Sequence, residues 1–352
     1  MTDYSRLALM LHRVRSRGLF SSRSQRLATI VFVVSLIASF GIAVIFSSKP
    51  SKEPDSDSSD ELSTASNESG GSTAMTVGDS PPASKPTAHE AIEFESSLPR
   101  LIHEQGYLSV TVHVALYDDG RNRKRALGDG SNPDANMYWG SRYGVDVHLT
   151  KDAGWTRVFK DRGDERRMIR RSVFHRRVDT NDAWMARTVE APFDLYLLAV
   201  AWPNSRSVEA TEQPLREALC GESTVISIDG RDIAFGAGSV ITGFLGQNRL
   251  LTDYWDPFAT LVGCRTPERQ MGLFYISPRS AVLLHKPTLD HGLYSVLFAR
   301  ESITPEAYLL SGMLEGLASG ELGEAFVTQA VKSYAKYQKS IRESQAKMVL
   351  MQ

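Results

Sequence analysis

The feature that most constrains this chain is an apolar stretch at residues 27–46, within a segment that has no charged side chain between Arg26 and Lys49. A helix of about twenty residues, rising about 1.5 Å per residue, spans the roughly 30 Å hydrocarbon core of a bilayer. Inside that core a helix satisfies its own backbone polar groups. We therefore expect residues 27–46 to form a single transmembrane helix, with the lipid bilayer as the first partner of the chain.

Charges on the two sides of this stretch predict its orientation. The N-terminal side carries Arg13, Arg15, Arg17, Arg23 and Arg26, and the C-terminal side carries Glu53, Asp55, Asp57, Asp60 and Glu61. Positive residues next to a membrane span are retained in the cytoplasm. The pattern predicts a single-pass protein of the cell membrane with a cytoplasmic N-terminus and a periplasmic or extracellular C-terminal domain.

A cleaved signal peptide is the alternative for the same stretch. Its apolar core is usually about 7–15 residues long and is followed by small residues at a cleavage site. Here the apolar core is longer, and the sequence Phe-Ser-Ser-Lys-Pro that follows offers no Ala-x-Ala pattern. An uncleaved anchor is the favoured interpretation.

The rest of the chain divides by composition. Residues 1–26 form a basic tail, and residues 47–90 consist mainly of Ser, Asp, Glu, Pro, Gly and Thr. A segment with so few large apolar side chains does not bury enough surface to offset the entropy of ordering it, so we expect a disordered linker. Residues 91–352 then form the extracytoplasmic domain.

Only two cysteines occur, Cys220 and Cys264, which excludes a disulfide framework and a cysteine-rich metal site. Their separation of 44 positions does not establish a pair. Free, partly buried thiols are expected, and a disulfide is the alternative in an oxidising compartment.

Strand and helix patterns alternate through the domain. Apolar or β-branched runs predict core strands at 107–117, 194–202, 239–245 and 271–277, a hairpin at 223–235, and shorter strands at 155–159 and 169–178. Helices are predicted at 92–103, with an interruption near Pro99, and at 135–147, 205–219, 307–318 and 322–347. This alternation predicts an α/β fold with a mostly parallel sheet flanked by helices.

An arginine strip lies on one of these strands. It comprises Arg166, Arg167, Arg170, Arg171, Arg176 and Arg177. Such a strip would suit phosphates, but the predicted topology places it outside the cytoplasm, so no nucleic acid is expected. The candidate partners of the strip are an acidic polymer, anionic lipid headgroups or the acidic linker itself, and a solvated edge strand is the simpler interpretation. An unknown protein is the other partner expected for the domain.

The sequence offers no metal or cofactor site. Asp129, Asn132 and Asp134 depart from the spacing of a calcium loop and enclose Pro133, which favours turn chemistry. His113 lies within a predicted core strand without a second ligand at a suitable spacing, so we interpret it as a core histidine. No phosphate-binding glycine loop or zinc-protease motif is present.

Three segments carry a family resemblance. Residues 127–144 read Leu-Gly-Asp-Gly-Ser-Asn-Pro-Asp-Ala-Asn-Met-Tyr-Trp-Gly-Ser-Arg-Tyr-Gly, residues 303–316 read Ile-Thr-Pro-Glu-Ala-Tyr-Leu-Leu-Ser-Gly-Met-Leu-Glu-Gly, and residues 333–338 read Ser-Tyr-Ala-Lys-Tyr-Gln. They resemble segments of uncharacterised bacterial proteins that are similar to the caspase-like, haemoglobinase-type cysteine peptidase fold. The resemblance implies a His after one core strand and a Cys after the next, because an imidazole activates the thiolate nucleophile.

The expected catalytic pair is missing. The places where Gly-His-Asn-Gly and Ala-Cys-Lys-Ser are expected read Gly-Phe-Leu-Gly at 243–246 and Tyr-Ile-Ser-Pro at 275–278. Phe244 and Ile276 therefore occupy the dyad positions, and we expect them to face one shallow cleft. One alternative is a dyad of Cys264 as nucleophile with His285 or His291 as base. Ser277 is a second candidate, a displaced nucleophile for which the matched loop offers no histidine.

The favoured hypothesis is a membrane-anchored binding or scaffold module, a catalytically degenerate caspase-like domain with no cofactor. An active cysteine or serine hydrolase using Cys264 or Ser277 is one alternative. An envelope structural protein that binds acidic polymer through the arginine strip is another.

Overall fold

The computed structural model describes residues 88–118, 128–164, 167–247, 256–261, 263–264 and 269–352, without the side chains of residues 88–92. The predicted tail, membrane helix, most of the linker, and Arg166 lie outside these residues. Within the described part of the chain, no helix has the length and apolar character needed to cross a membrane.

A mostly parallel sheet of eight strands organises the domain. In chain order the strands are β1 (Tyr107–Ala115), β2 (Thr156–Asp161), β3 (Arg170–Val178), β4 (Phe193–Trp202), β7 (Ile241–Leu245), β8 (Gly272–Ile276), β9 (Tyr294–Ala299) and β10 (Leu350–Met351), while β5 (Ser223–Ile228) and β6 (Arg231–Gly236) form a separate hairpin. The spatial order is β10-β9-β8-β7-β1-β4-β3-β2. The five central strands β9, β8, β7, β1 and β4 are parallel, and β10, β3 and β2 continue the sheet by antiparallel pairing. The predicted α/β class with a mostly parallel sheet is confirmed.

Helices cover both faces of the sheet. They are α1 (Ala88–Gln105), α2 (Val145–Lys151), α3 (Asp182–Met185), α4 (Ser207–Cys220), α5 (Lys286–Asp290), α6 (Ala307–Ser319), α7 (Glu324–Tyr337) and α8 (Glu343–Val349). One core packs α1, α2, α6 and α7 against the sheet, and the other packs α4 and the hairpin against the opposite face. Covering on both faces explains the near-continuous apolar runs of the central strands.

Strand β1 shows how the two faces differ. Its Leu108, Val110, Val112 and Val114 enter the first core, whereas Ser109, Thr111 and His113 project to the other face. There the Thr111 hydroxyl lies 2.9 Å from the Ser239 hydroxyl, and the Ser109 hydroxyl donates to a hairpin carbonyl at 2.7 Å. These buried polar groups therefore have partners, as burial requires.

The prediction that His113 is a core histidine is confirmed. Its Nδ1 accepts a hydrogen bond from the Trp202 indole at 3.0 Å, so the imidazole proton lies on Nε2, which is 2.8 Å from a carboxylate oxygen of Glu217. The second carboxylate oxygen of Glu217 accepts from Thr242. This network joins β1, β4, α4 and β7 and leaves the ring no position for a ligand.

Several boundaries differ from the sequence prediction. Helix α1 runs through Pro99 without interruption, because Phe94, Leu98 and Ile102 bury one face and their packing outweighs the cost of an interior proline. The predicted helix at 135–147 is instead a 3-10 turn at Pro133–Ala135 followed by α2. The last predicted helix is two helices, and strands β9 and β10 were not predicted.

The interpretation of 169–178 as an edge strand was wrong. Strand β3 pairs with β4 on one side and with β2 on the other, so its backbone groups are used on both edges. Strand β2, with an irregularity between Arg157 and Phe159, forms that edge of the sheet.

Candidate functional site

The expected dyad positions lie on neighbouring parallel strands but do not share a cleft. Phe244 of β7 pairs in register with Tyr275 of β8, and Leu245 pairs with Ile276. Because side chains alternate across a strand, Phe244 projects toward α4 while Ile276 enters the opposite core. The expectation that the two face one cleft was therefore wrong. Both side chains are fully buried among apolar neighbours.

Ser277 lies directly after β8 and is buried as well. Its hydroxyl has no hydrogen-bond partner among the described residues. The neighbouring Ser280 instead bridges two strands, donating to the Tyr275 carbonyl at 2.8 Å and accepting from the Ala299 amide at 3.0 Å. Nothing described beside Ser277 acts as its base.

The two candidate histidines pack against phenylalanine rings. His285 is buried, and its ring contacts Phe298 edge-on with the ring centroids 5.8 Å apart. His291 stacks on Phe258 at 4.7 Å, and its Nδ1 lies 2.8 Å from the Pro287 carbonyl oxygen. Neither ring makes a hydrogen bond to Cys264 or Ser277.

Cys264 forms a disulfide with Cys220, with the two Cα atoms 4.6 Å apart. The expectation of free thiols was therefore wrong. The fold brings the C-terminal end of α4 beside the segment that follows β7, a proximity that the 44-residue spacing does not reveal. In this state Cys264 has no thiolate and is not a nucleophile.

Most of the described arginines of the strip are paired within the chain. Arg171 binds Asp161 at 2.5 Å, Arg177 binds Asp194 at 3.0 Å, and Arg176 binds Glu315 at 2.5 Å. Arg170 binds Asp134, and its hydrogen bond holds the pKa of that carboxyl below its ordinary value. Arg167 is exposed. These ion pairs connect β3 to β2, to β4, to α6 and to the turn at Asp134.

The three segments that carry the family resemblance meet at one place in the first core. The Ala307 amide, at the start of α6, donates to the Tyr143 carbonyl at 2.9 Å. The Tyr308 ring contacts Tyr143 at 5.9 Å and stacks on Tyr337 at 5.2 Å, and its hydroxyl accepts from the Gln338 amide at 2.8 Å. Segments far apart in sequence therefore build one aromatic cluster.

A groove of about 500 Å³ opens next to this cluster, between α2, α6 and α7. A Cβ at Gly312 would lie 2.7 Å from the Gln329 carbonyl oxygen, so glycine lets α6 approach α7 closely here. The polar lining includes His148, Asp152, Ser311, Glu315, Lys332 and Lys336. Charges of both signs thus face the groove beside the Tyr337 ring.

His148 is the central polar group of this groove. Its ring is buried, lies 5.2 Å from Tyr337, and places Nε2 3.0 Å from the Ser311 hydroxyl. Its Nδ1 faces a carboxylate oxygen of Asp152 at 3.5 Å. Burial lowers the pKa of His148 and outweighs the opposing effect of Asp152, and the Lys336 charge lowers it further. The ring is therefore neutral at physiological pH.

Glu306 is a second buried ionisable group in the same region. It lies immediately before α6, is 4 % exposed, and burial raises its pKa to about 7, although a hydrogen bond with Tyr308 partly opposes this. Nearby, the Tyr138 hydroxyl accepts from the Gln247 amide at 2.7 Å.

Sequence patterns selected Arg176 of the arginine strip, which lines this groove, but did not select His148, Asp152 or Ser311. His148 and Asp152 are separated by four positions, which places them on one side of a helical turn, and Ser311 lies within the segment 303–316. These two signals point to the groove only once α6 is packed beside α2.

The chain matches no family model, no curated protein and no solved structure. Within the described residues, no group of three or more His, Cys, Asp or Glu side chains is arranged to hold a metal ion.

Proposed function

We propose that this protein is a membrane-anchored, extracytoplasmic binding or scaffold module, built on a caspase-like α/β domain that has lost its catalytic pair. The observation that carries the proposal is the pair Phe244 and Ile276, which are apolar, fully buried and on opposite faces of the sheet. Neither side chain transfers a proton or attacks a carbonyl.

Two observations support the relation to the caspase-like fold. Counting only the parallel strands in chain order, the spatial sequence β4-β1-β7-β8-β9 is a 2-1-3-4-5 arrangement, one of the common orders of doubly wound sheets. In addition, the three resembling segments converge on one aromatic cluster. Proteins of many different functions share this strand order, so the convergence of the three segments is the stronger support for the relation.

The disulfide supports the proposed location. Disulfides persist in oxidising compartments and are rare in the cytosol, where thiols are kept reduced. The Cys220–Cys264 pair thus agrees with the orientation that the arginines before residue 27 predict.

The groove between α2, α6 and α7 is the proposed binding surface. Lys332 and Lys336 lie on one of its walls, Asp152 provides negative charge, and Glu315 is paired with Arg176 on the same lining. Such a surface suits a polar segment of a partner protein better than a uniformly acidic polymer, because both signs of charge find a complement. The pairing of the arginine strip also weakens the acidic-polymer alternative.

The alternative of an active hydrolase has little support at its two candidate nucleophiles. Cys264 is in a disulfide, and in the part of the chain that the structure describes the buried Ser277 has no base beside it.

Site-specific photo-crosslinking tests the binding surface. A photoreactive residue at Lys332 of the full-length protein in intact cells is expected to give a discrete crosslinked product. The matched position is Val282, which is 60 % exposed and outside the groove, and it is expected to give none. Adding Lys336→Glu should reduce the Lys332 product severalfold. Equal products from both positions, or none from Lys332, would contradict a binding role for the groove.

A further inference from the structure

We propose that Ser311 is an activated nucleophile, with His148 as its general base and Asp152 as the group that orients the base. The site would accept acyl groups from small carboxylic esters that enter the groove. This activity goes beyond the proposed binding function and does not use the missing caspase-like pair.

The first observation is the sequence of contacts. The Ser311 hydroxyl lies 3.0 Å from Nε2 of His148, and Nδ1 of the same ring lies 3.5 Å from Asp152. This is the order of groups in a Ser-His-Asp triad, which recurs on unrelated folds and is recognised by geometry. The distance to Asp152 is longer than a hydrogen bond, as catalytic contacts in unliganded sites often are.

The second observation is the state of the histidine. Nδ1 of His148 is buried without a hydrogen-bond partner in the described structure, and Asp152 is the carboxylate that faces it. A proton on Nδ1 directed to Asp152 leaves the Nε2 lone pair directed to Ser311. Tyr143, Tyr308 and Tyr337 surround the ring edge-on and hold its orientation. This is the tautomer that a general base needs.

The third observation is access. Ser311, His148 and Asp152 all line the groove of about 500 Å³, so a substrate reaches the hydroxyl from solvent. In the resting site the Ser311 hydroxyl also lies 3.1 Å from the Tyr308 carbonyl oxygen, one helical turn earlier. Because the oxygen already lies within reach of both acceptors, rotation of the hydroxyl about the Cβ–Oγ bond redirects its proton from the Tyr308 carbonyl to Nε2 of His148.

Stabilisation of the oxyanion comes from side chains at this site. Ser311 lies inside α6, where backbone N–H groups are engaged in helical hydrogen bonds. Lys332 and Lys336 line the same groove and supply positive charge for the developing oxygen anion. This arrangement favours esters that carry a negative charge near the reacting carbonyl.

The reaction proceeds in two steps. The Ser311 oxygen forms a bond to the carbonyl carbon as its proton moves to Nε2 of His148. The bond to the leaving oxygen then breaks, and His148 gives its proton to the departing alcohol. Water, deprotonated by the same nitrogen, attacks the acyl-serine, and the proton returns to the Ser311 oxygen as the carboxylic acid leaves.

The test is labelling of the full-length protein in detergent with a fluorophosphonate probe, followed by peptide mapping. Phosphonylation is expected at Ser311, with loss of the label in Ser311→Ala and retention in Ser319→Ala, a serine at the end of the same helix. Asp152→Asn keeps the side-chain volume at a partly exposed position and is expected to slow labelling more than about tenfold. Hydrolysis of p-nitrophenyl butyrate should fall in parallel.

The position of the label distinguishes the Ser311 assignment from the proposed binding function. A folded wild-type protein without label at Ser311, or with labelling unchanged in Asp152→Asn, would overturn the assignment. Label at Ser277 or Cys264 would instead overturn the proposed loss of catalysis. Thermal unfolding of each variant establishes that it is folded.

Discussion

At the scale of a single residue, burial of Glu306 makes the stability of the folded protein depend on pH. A carboxyl that is 4 % exposed favours its neutral form, and its pKa rises from 4.5 to about 7. The folded protein therefore retains a proton that the unfolded chain releases, so the stability falls as pH rises from about 4.5 to 7. Above that range the loss levels off at about 3 kcal/mol.

Glu306→Gln is expected to remove this dependence. The amide is neutral at every pH and similar in size, so the variant should be more stable than wild type by up to about 3 kcal/mol at pH 8. At pH 4.5 the two proteins should be nearly equal. Urea unfolding at both pH values measures the difference, and Glu343→Gln on exposed α8 is the control. An equal difference at both pH values would show that Glu306 does not titrate as described.

At the scale of elements, the disulfide joins α4 to the segment that carries Cys264. It closes a loop of 44 residues that includes the hairpin and β7. A cross-link of this kind restricts the unfolded chain, and the effect grows slowly with loop length. The pair thus stabilises the face of the sheet opposite the groove.

Replacement of both cysteines by serine should reduce the free energy of unfolding by about 2–4 kcal/mol. Wild-type protein treated with reductant should lose a similar amount, while the variant should not respond to reductant. If the domain lies outside the cytoplasm, acid-quenched cells should yield protein with no thiol available for alkylation before reduction. Fully alkylated thiols in the quenched protein would contradict both the disulfide and the proposed compartment.

Elements with strong local signals were predictable from sequence. The hairpin with its Asp229-Gly230 turn, helix α4 and the central strands β1, β4, β7 and β8 follow from apolar periodicity and turn chemistry, whereas the central strand β9 was not predicted. Strand β10 has two residues and exists only because β9 offers an edge for pairing. The position of β3 inside the sheet likewise depends on its pairing with β2, which no local pattern encodes.

The candidate site was less predictable for the same reason. Phe244 and Ile276 were identified from segments of sequence, but their opposite faces follow from strand register. His148 and Ser311 are 163 positions apart and meet only after α2 and α6 pack together. Sequence spacing within one element predicts a shared face, whereas contact between elements requires the fold.

At the scale of the whole molecule, an anchor predicted from sequence precedes an α/β domain in which Phe244 and Ile276 lie where the family resemblance implies a catalytic pair. The anchor rests on residues 27–46 and their charged flanks, which lie outside the described residues. In the described domain, Phe244 and Ile276 are buried near the carboxyl ends of the inner strands β7 and β8, and a groove opens between α2, α6 and α7. We propose that this domain has lost the catalytic pair and serves in binding.

The most direct test of the central claim is covalent labelling of the full-length protein in detergent with an electrophilic peptide probe directed at cysteine peptidases. Wild type, Cys264→Ala and Ser277→Ala are compared by intact mass, with thermal unfolding as the check on folding. We expect no stoichiometric labelling of any of the three, because Cys264 is oxidised and the buried Ser277 has no base among the described residues. Stoichiometric labelling of wild type that is lost in either variant would contradict the account and identify an active hydrolase.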